Sequence, residues 1–144
     1  MLDSPTLLSR LAVAKMAGLL IGLTGFLLLP LILPSAPDQA RWAMLLWYPT
    51  VGAMIAMLDT LDKGEALPWR TPWWLRAMLI GGWMNFLAIM MGGPFMDEFV
   101  DALLGVDHPL STSLLFVPEG AAAGLVIGYL VMRFAGDGRA ISDD

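Results

Sequence analysis

LAVAKMAGLLIGLTGFLLLPLIL, residues Leu11–Leu33, is the stretch on which the reading of the fold turns. It holds a single charge, Lys15, close to its start. A bilayer core is about 30 Å thick, and a helix needs about 20 apolar residues to cross it. A lysine near one end can lie along the apolar surface and lift its amine to the headgroups. A cleaved secretory leader is the competing reading, with Arg10 and Lys15 as its basic region. The apolar run is longer than the usual leader core of about 7–15 residues, and Pro34-Ser35-Ala36-Pro37 places proline where a cleavage site wants small residues. The stretch is therefore read as a retained span.

Three further stretches of this kind follow, at about Trp42–Leu58, Leu75–Gly93 and Ser113–Met132. The second is the shortest and carries Pro49 near its middle, a kink that neighbouring helices can accommodate. Across the 144 residues, 58% are hydrophobic and 15% charged. A soluble domain is about 45–50% apolar and about 25% charged, so the surplus is expected to face lipid. The expected fold is all-α, a single domain over residues 1–144 built as a four-helix transmembrane bundle.

Basic residues give the orientation, because Lys and Arg gather on the cytoplasmic side of short loops. Arg10, Lys15, Lys63, Arg70, Arg76, Arg133 and Arg139 fall on one side of a four-span topology, and Arg41 alone falls on the other. Both termini are thus expected in the cytoplasm of a bacterial-type cell, with the protein in the plasma membrane. Trp69, Trp73 and Trp74 precede the third span beside Arg70 and Arg76, as expected of an interfacial collar. Pro68 and Pro72 keep that segment off helix until the span begins.

The third loop is expected to hold a short amphipathic helix at about Phe95–Leu104, opened by Pro94 and closed by Gly105. Phe95, Met96, Phe99, Val100, Leu103 and Leu104 recur at helical spacing, opposite Asp97, Glu98 and Asp101. That is the pattern of a helix lying in the interface plane. It reads as a cap over the outer end of the bundle, with an acidic, cation-attracting lip as the alternative.

Small residues recur on one face of three spans. These are Ala14, Gly18, Gly22 and Gly25 in the first, Gly81, Asn85, Ala88 and Gly92 in the third, and Gly120, Gly124 and Gly128 in the fourth. Helices in lipid gain little hydrophobic energy by meeting and associate through close backbone packing. The glycine faces therefore point to packing within the bundle, or to a dimer or partner interface through the fourth helix.

Glu119, in Phe116-Val117-Pro118-Glu119-Gly120, is the chief candidate for a functional residue, because a carboxylate in hydrocarbon is expensive. Two placements are open. It is either a membrane-embedded polar site or a first-turn acid favoured by the helix dipole. Asn85, midway along the third span, must find a hydrogen-bond partner. A bond between the two requires Glu119 to reach that depth.

Several classes are set aside. There is no cysteine, and His108 is the single histidine, so thiolate sites and a bis-histidine haem are excluded. The 11 methionines, with Met84, Met90 and Met91 on the third span, read as flexible packing and not as a copper(I) ladder. Gly136-Asp137-Gly138 reads as a turn, because no helix follows to supply phosphate-binding amides. A net charge of −5 disfavours nucleic acid. No catalytic residue, cofactor or metal is expected. The partners expected are the lipid bilayer and either further copies of the chain or another membrane protein. Two functions fit. One is an accessory, scaffolding or assembly subunit acting through the glycine faces. The other is a small homo-oligomeric transporter or channel, linked to protons or cations, that uses Glu119.

Overall fold

The computed structural model describes residues 6–61, 71–106, 108 and 112–136, with the backbone alone at 59–61. Pro68, Trp69, Lys63, Arg70 and Arg139 lie outside the described residues, as do Asp137 and Gly138.

Four helices follow one another: α1 (Leu7–Ile32), α2 (Asp38–Leu61), α3 (Trp73–Leu104) and α4 (Phe116–Ala135). A 3-10 turn, Ser113–Leu115, leads into α4. α1 opens with a reciprocal cap. The Thr6 hydroxyl accepts from the Ser9 amide at 3.1 Å, and the Ser9 hydroxyl accepts from the Thr6 amide at 3.2 Å. These bonds satisfy donors that a helix start leaves open. α2 begins at Asp38, earlier than Trp42, and an acid in the first turn suits the positive end of the helix dipole. α1, α3 and the Ser113–Ala135 segment are long and apolar enough to cross a membrane. The chain is a helical membrane protein. α2, with Trp42, Trp47, Tyr48 and Pro49, is less apolar than those three.

The separate interfacial helix expected at Phe95–Leu104 does not exist. α3 runs unbroken through Gly92, Gly93 and Pro94 to Leu104. Both glycines keep helical backbone angles, since the positive-φ glycines among the described residues are Gly105 and Gly136. Proline's fixed φ is itself helix-compatible, and its cost is a lost amide and a crowded carbonyl one turn earlier. Packing beyond the proline offsets that cost. Phe99 is buried with Leu29 and Leu33, Phe95 and Phe116 pack against the group, and Val100 is buried too. The apolar side of residues 95–104 therefore extends the bundle core. Asp97 and Glu98 face outward, and Gly105 ends the helix at φ 93°.

The helices pair as two hairpins, α1 with α2 and α3 with α4, which meet mainly through α1 and α4. Glycine makes each pairing close. A methyl group on Gly22 would sit 2.8 Å from the Leu45 carbonyl oxygen. That carbonyl lies one turn before Pro49, which has no amide to offer it. Gly18 faces the Tyr48–Pro49 backbone, and Gly52 faces Ala14. In the other hairpin Gly81 meets Gly120 and Gly124, while Gly124 and Gly128 meet Ala77. Gly18, Gly22, Gly81, Gly120, Gly124 and Gly128 are thus engaged in contacts between helices of the chain.

At the end of the bundle where α1 begins and α4 stops, Arg10 is fully buried, and its Nη1 donates to the Gly136 carbonyl. A guanidinium there meets the negative end of α4. Replacing Arg10 by methionine keeps an apolar stem and removes the charged donor. The expected loss is about 1.5–3 kcal/mol, the range for a bond to a charged group, read by unfolding in detergent micelles. A gain in stability would show that burying the guanidinium costs more than its bonds return.

Candidate functional site

Asn85 and Glu119 are brought together. Asn85 lies on the face of α3 turned to α4, opposite Gly120, and is 3% exposed. Gly120 leaves room there, because any side chain at that position would overlap the Asn85 amide. Through this gap Asn85 Nδ2 donates to the Phe116 carbonyl at 3.0 Å and to Glu119 Oε2 at 2.6 Å. α2 supplies the rest. The Tyr48 hydroxyl lies 2.8 Å from Glu119 Oε1 and 2.7 Å from Oε2, and Trp47 Nε1 donates to Asn85 Oδ1 at 3.0 Å.

The order of donors is fixed from one end. Indole is a donor only, so Trp47 requires the oxygen of the Asn85 amide to face it. The amide nitrogen then points to Glu119 and the Phe116 carbonyl, both of which accept. Tyr48 has one proton to share between the two carboxylate oxygens. The same hydroxyl can accept a proton as well as donate one. Hydrogen bonding between Tyr48 and Glu119 therefore survives a change in the charge of the carboxyl group, with only a rotation of O–H bonds.

Glu119 lies in the first turn of α4, the second of the two sequence placements. It benefits from the amide end of the helix, and it also reaches Asn85. The residue keeps an exposed side on the bundle surface, whereas Tyr48 is buried. Two helices meet α4 here because of the glycines beneath them. Gly18 lets α1 support α2 at Tyr48, and Gly81 draws α3 onto α4 beside Asn85.

Trp47 and Tyr48 were not singled out in the sequence. Their signal was position, since tryptophan and tyrosine prefer the ends of a span. Buried inside one, each needs a partner for its N–H or O–H. The other glycines singled out, Gly25 and Gly92, do not take part in the cluster. Gly25 faces the Met44 side chain and Gly92 faces Met96. Asp97 is drawn to the end of the bundle, where its carboxylate accepts from the Ser113 amide at 3.3 Å, and Glu98 accepts from the Ser35 hydroxyl at 3.2 Å. Arg41 sits at the same end, 3.5 Å from Asp38 and over the Phe26 ring.

No protein-family model, curated protein or solved structure matches the chain.

Proposed function

We propose that the protein is a small four-span membrane transporter or channel, with both ends in the cytoplasm, in which Glu119 takes up and releases a proton or a monovalent cation. The observation that carries this reading is the Glu119 carboxylate, held by Tyr48 and Asn85 between three helices. Such an arrangement accepts a positive charge without remodelling the backbone. The described basic residues Arg10, Lys15, Arg76 and Arg133 lie toward one end of the bundle, and Arg41 lies toward the other with Asp38, Asp97, Glu98 and Asp101. That asymmetry supports the orientation.

Depth supports the site. If the inner boundary lies near Phe134, a core of about 30 Å ends near Leu114. Glu119 then lies about 7 Å inside the outer boundary at about 1.5 Å per residue, and Asn85, which faces Gly120 and bonds Glu119, lies at a similar depth. A carboxylate at that depth is expected to face protein or water and not lipid. Its exposed side therefore favours a homo-oligomer in which neighbouring copies enclose a wet path.

The test is flux in liposomes. The Glu119→Gln protein keeps the size and hydrogen bonding of the side chain but not its charge, and it is expected to lose proton- or cation-linked flux. Undiminished flux removes Glu119 from the mechanism. Gly18, Gly22, Gly81, Gly120, Gly124 and Gly128 meet other helices of the same chain, which supports the transport reading over an accessory subunit that docks through those glycines. Gentle release from the native membrane followed by native mass spectrometry separates the two. Further copies of the chain favour transport, and a fixed ratio with a different protein favours the accessory role.

A further inference from the structure

A carboxylate that carries a positive charge can carry a proton or a metal cation, and what surrounds Glu119 separates the two. A metal cation gives up its hydration shell where oxygens with free lone pairs replace it. Glu119 meets donors instead. Its Oε2 accepts from Asn85 Nδ2 at 2.6 Å and lies 2.7 Å from the Tyr48 hydroxyl, which is also 2.8 Å from Oε1. An N–H aimed at the carboxylate repels a cation brought to the same oxygen. A proton needs no ring of oxygens. It forms one O–H bond on the carboxylate, and the exposed side of Glu119 gives it a way in and out. Among the described residues, Tyr48 is the titratable group hydrogen-bonded to Glu119.

The oxygens for a cation site are nevertheless close by. The Phe116 carbonyl lies 3.0 Å from Asn85 Nδ2. If the Asn85 amide were turned end for end, its oxygen would stand where the nitrogen now is, between the Phe116 carbonyl and Glu119 Oε2. Together with the Tyr48 oxygen, these groups would replace much of the water around a sodium ion. Trp47 opposes the turn. Its Nε1 donates to Asn85 Oδ1 at 3.0 Å, and an indole nitrogen cannot accept. A turned amide would set N–H against N–H and leave the Trp47 donor without its partner, which is costly away from water. α2 thus supplies two adjacent groups, the Tyr48 hydroxyl that bonds Glu119 and the Trp47 indole that sets the amide.

We propose that Trp47 makes this site select protons over metal cations, by holding the Asn85 amide with its nitrogen toward Glu119. The proposal rests on Glu119 as the ion-carrying group and names the ion. Trp47 acts through Asn85 and is a positioning residue.

The test uses the full-length protein in liposomes and two probes, protons and sodium ions. Infrared difference spectra of the carboxylate stretch report binding without flux, and Glu119→Gln marks the band. In the wild-type protein the band is expected to vanish on acidification and to ignore sodium. Trp47→Phe keeps a ring and removes the N–H. In that variant sodium is expected to shift the band. Sodium uptake into the liposomes is expected to rise at least about tenfold, the least that one added bond to a charged group would give. A role for Trp47 in packing alone would move neither reading. If Trp47→Phe melts early, Asn85→Asp serves in its place, because it turns an oxygen toward Glu119 with Trp47 left as it is, and the same gain of sodium is expected. A sodium shift in the wild-type protein overturns the proposal, and so does its absence from the folded variant. Flux that survives Glu119→Gln defeats the transport reading instead, and the infrared spectra still decide which ion the cluster binds.

Discussion

Replacing Gly124 by leucine is expected to separate α3 from α4, with a loss of more than about 3 kcal/mol and a fall in melting temperature that no detergent restores. The reason is what lies opposite. A side chain at Gly124 would run into the Ala77 carbonyl, and the Gly81 backbone lies 3.2 Å from where its first carbon would be. Backbone cannot rotate away as a side chain can. Overpacking in cores costs about 1–3 kcal/mol and occasionally more, and it is worst where neighbours are rigid. The helices would have to part, and parting them also removes Asn85 from its bonds. Chemical unfolding of the purified protein measures this directly. Membrane insertion should be retained, because a leucine raises the apolar character of the span. A folded Gly124→Leu protein of normal stability would contradict the close helix pairing on which the candidate site depends.

Asn85→Leu is the second change with a large expected effect. Leucine is close to asparagine in size, so the gap over Gly120 stays filled. Three hydrogen bonds disappear, to Trp47, Phe116 and Glu119. Bonds between membrane helices average about 0.6 kcal/mol and reach about 1.7, which puts the total for three at about 2–5 kcal/mol. Glu119 would keep Tyr48 as its partner in the cluster. If the carboxylate works as proposed, flux falls by more than about tenfold in this variant even where the protein remains folded. Combining Asn85→Leu with Glu119→Leu in a double-mutant cycle isolates the pair. Additive losses would mean that the two side chains do not act together.

The apolar spans were readable because lipid imposes a length and a composition that soluble proteins do not share. Glu119 and Asn85 stood out for the same reason, as polar groups where polar groups are costly. The path of α3 was not readable. Gly92-Gly93-Pro94 carries every local sign of a helix break, and what overrides it is the burial of Phe99 and Val100, a contact with α1 and α4 that no local pattern encodes. Trp47 and Tyr48 were hidden because both residue types are counted among the hydrophobic ones, and the polar atom at the tip of each ring is what matters here. The glycines were visible as faces. Whether such a face meets the same chain or another depends on which helices become neighbours, and that is a property of the assembled bundle.

Arg10 has a consequence for how the bundle comes into being. A ribosome delivers α1 before α4, and the carbonyl that receives this guanidinium belongs to Gly136, 126 positions later. During synthesis of everything between, Arg10 has to wait at the membrane surface, where water or phosphate can serve it. The bond to Gly136 forms only once α4 is in place. The pair therefore acts as a closing latch between the start of α1 and the end of α4. Chains stopped before α4 lack this bond, and limited proteolysis is expected to cut them faster than the full chain.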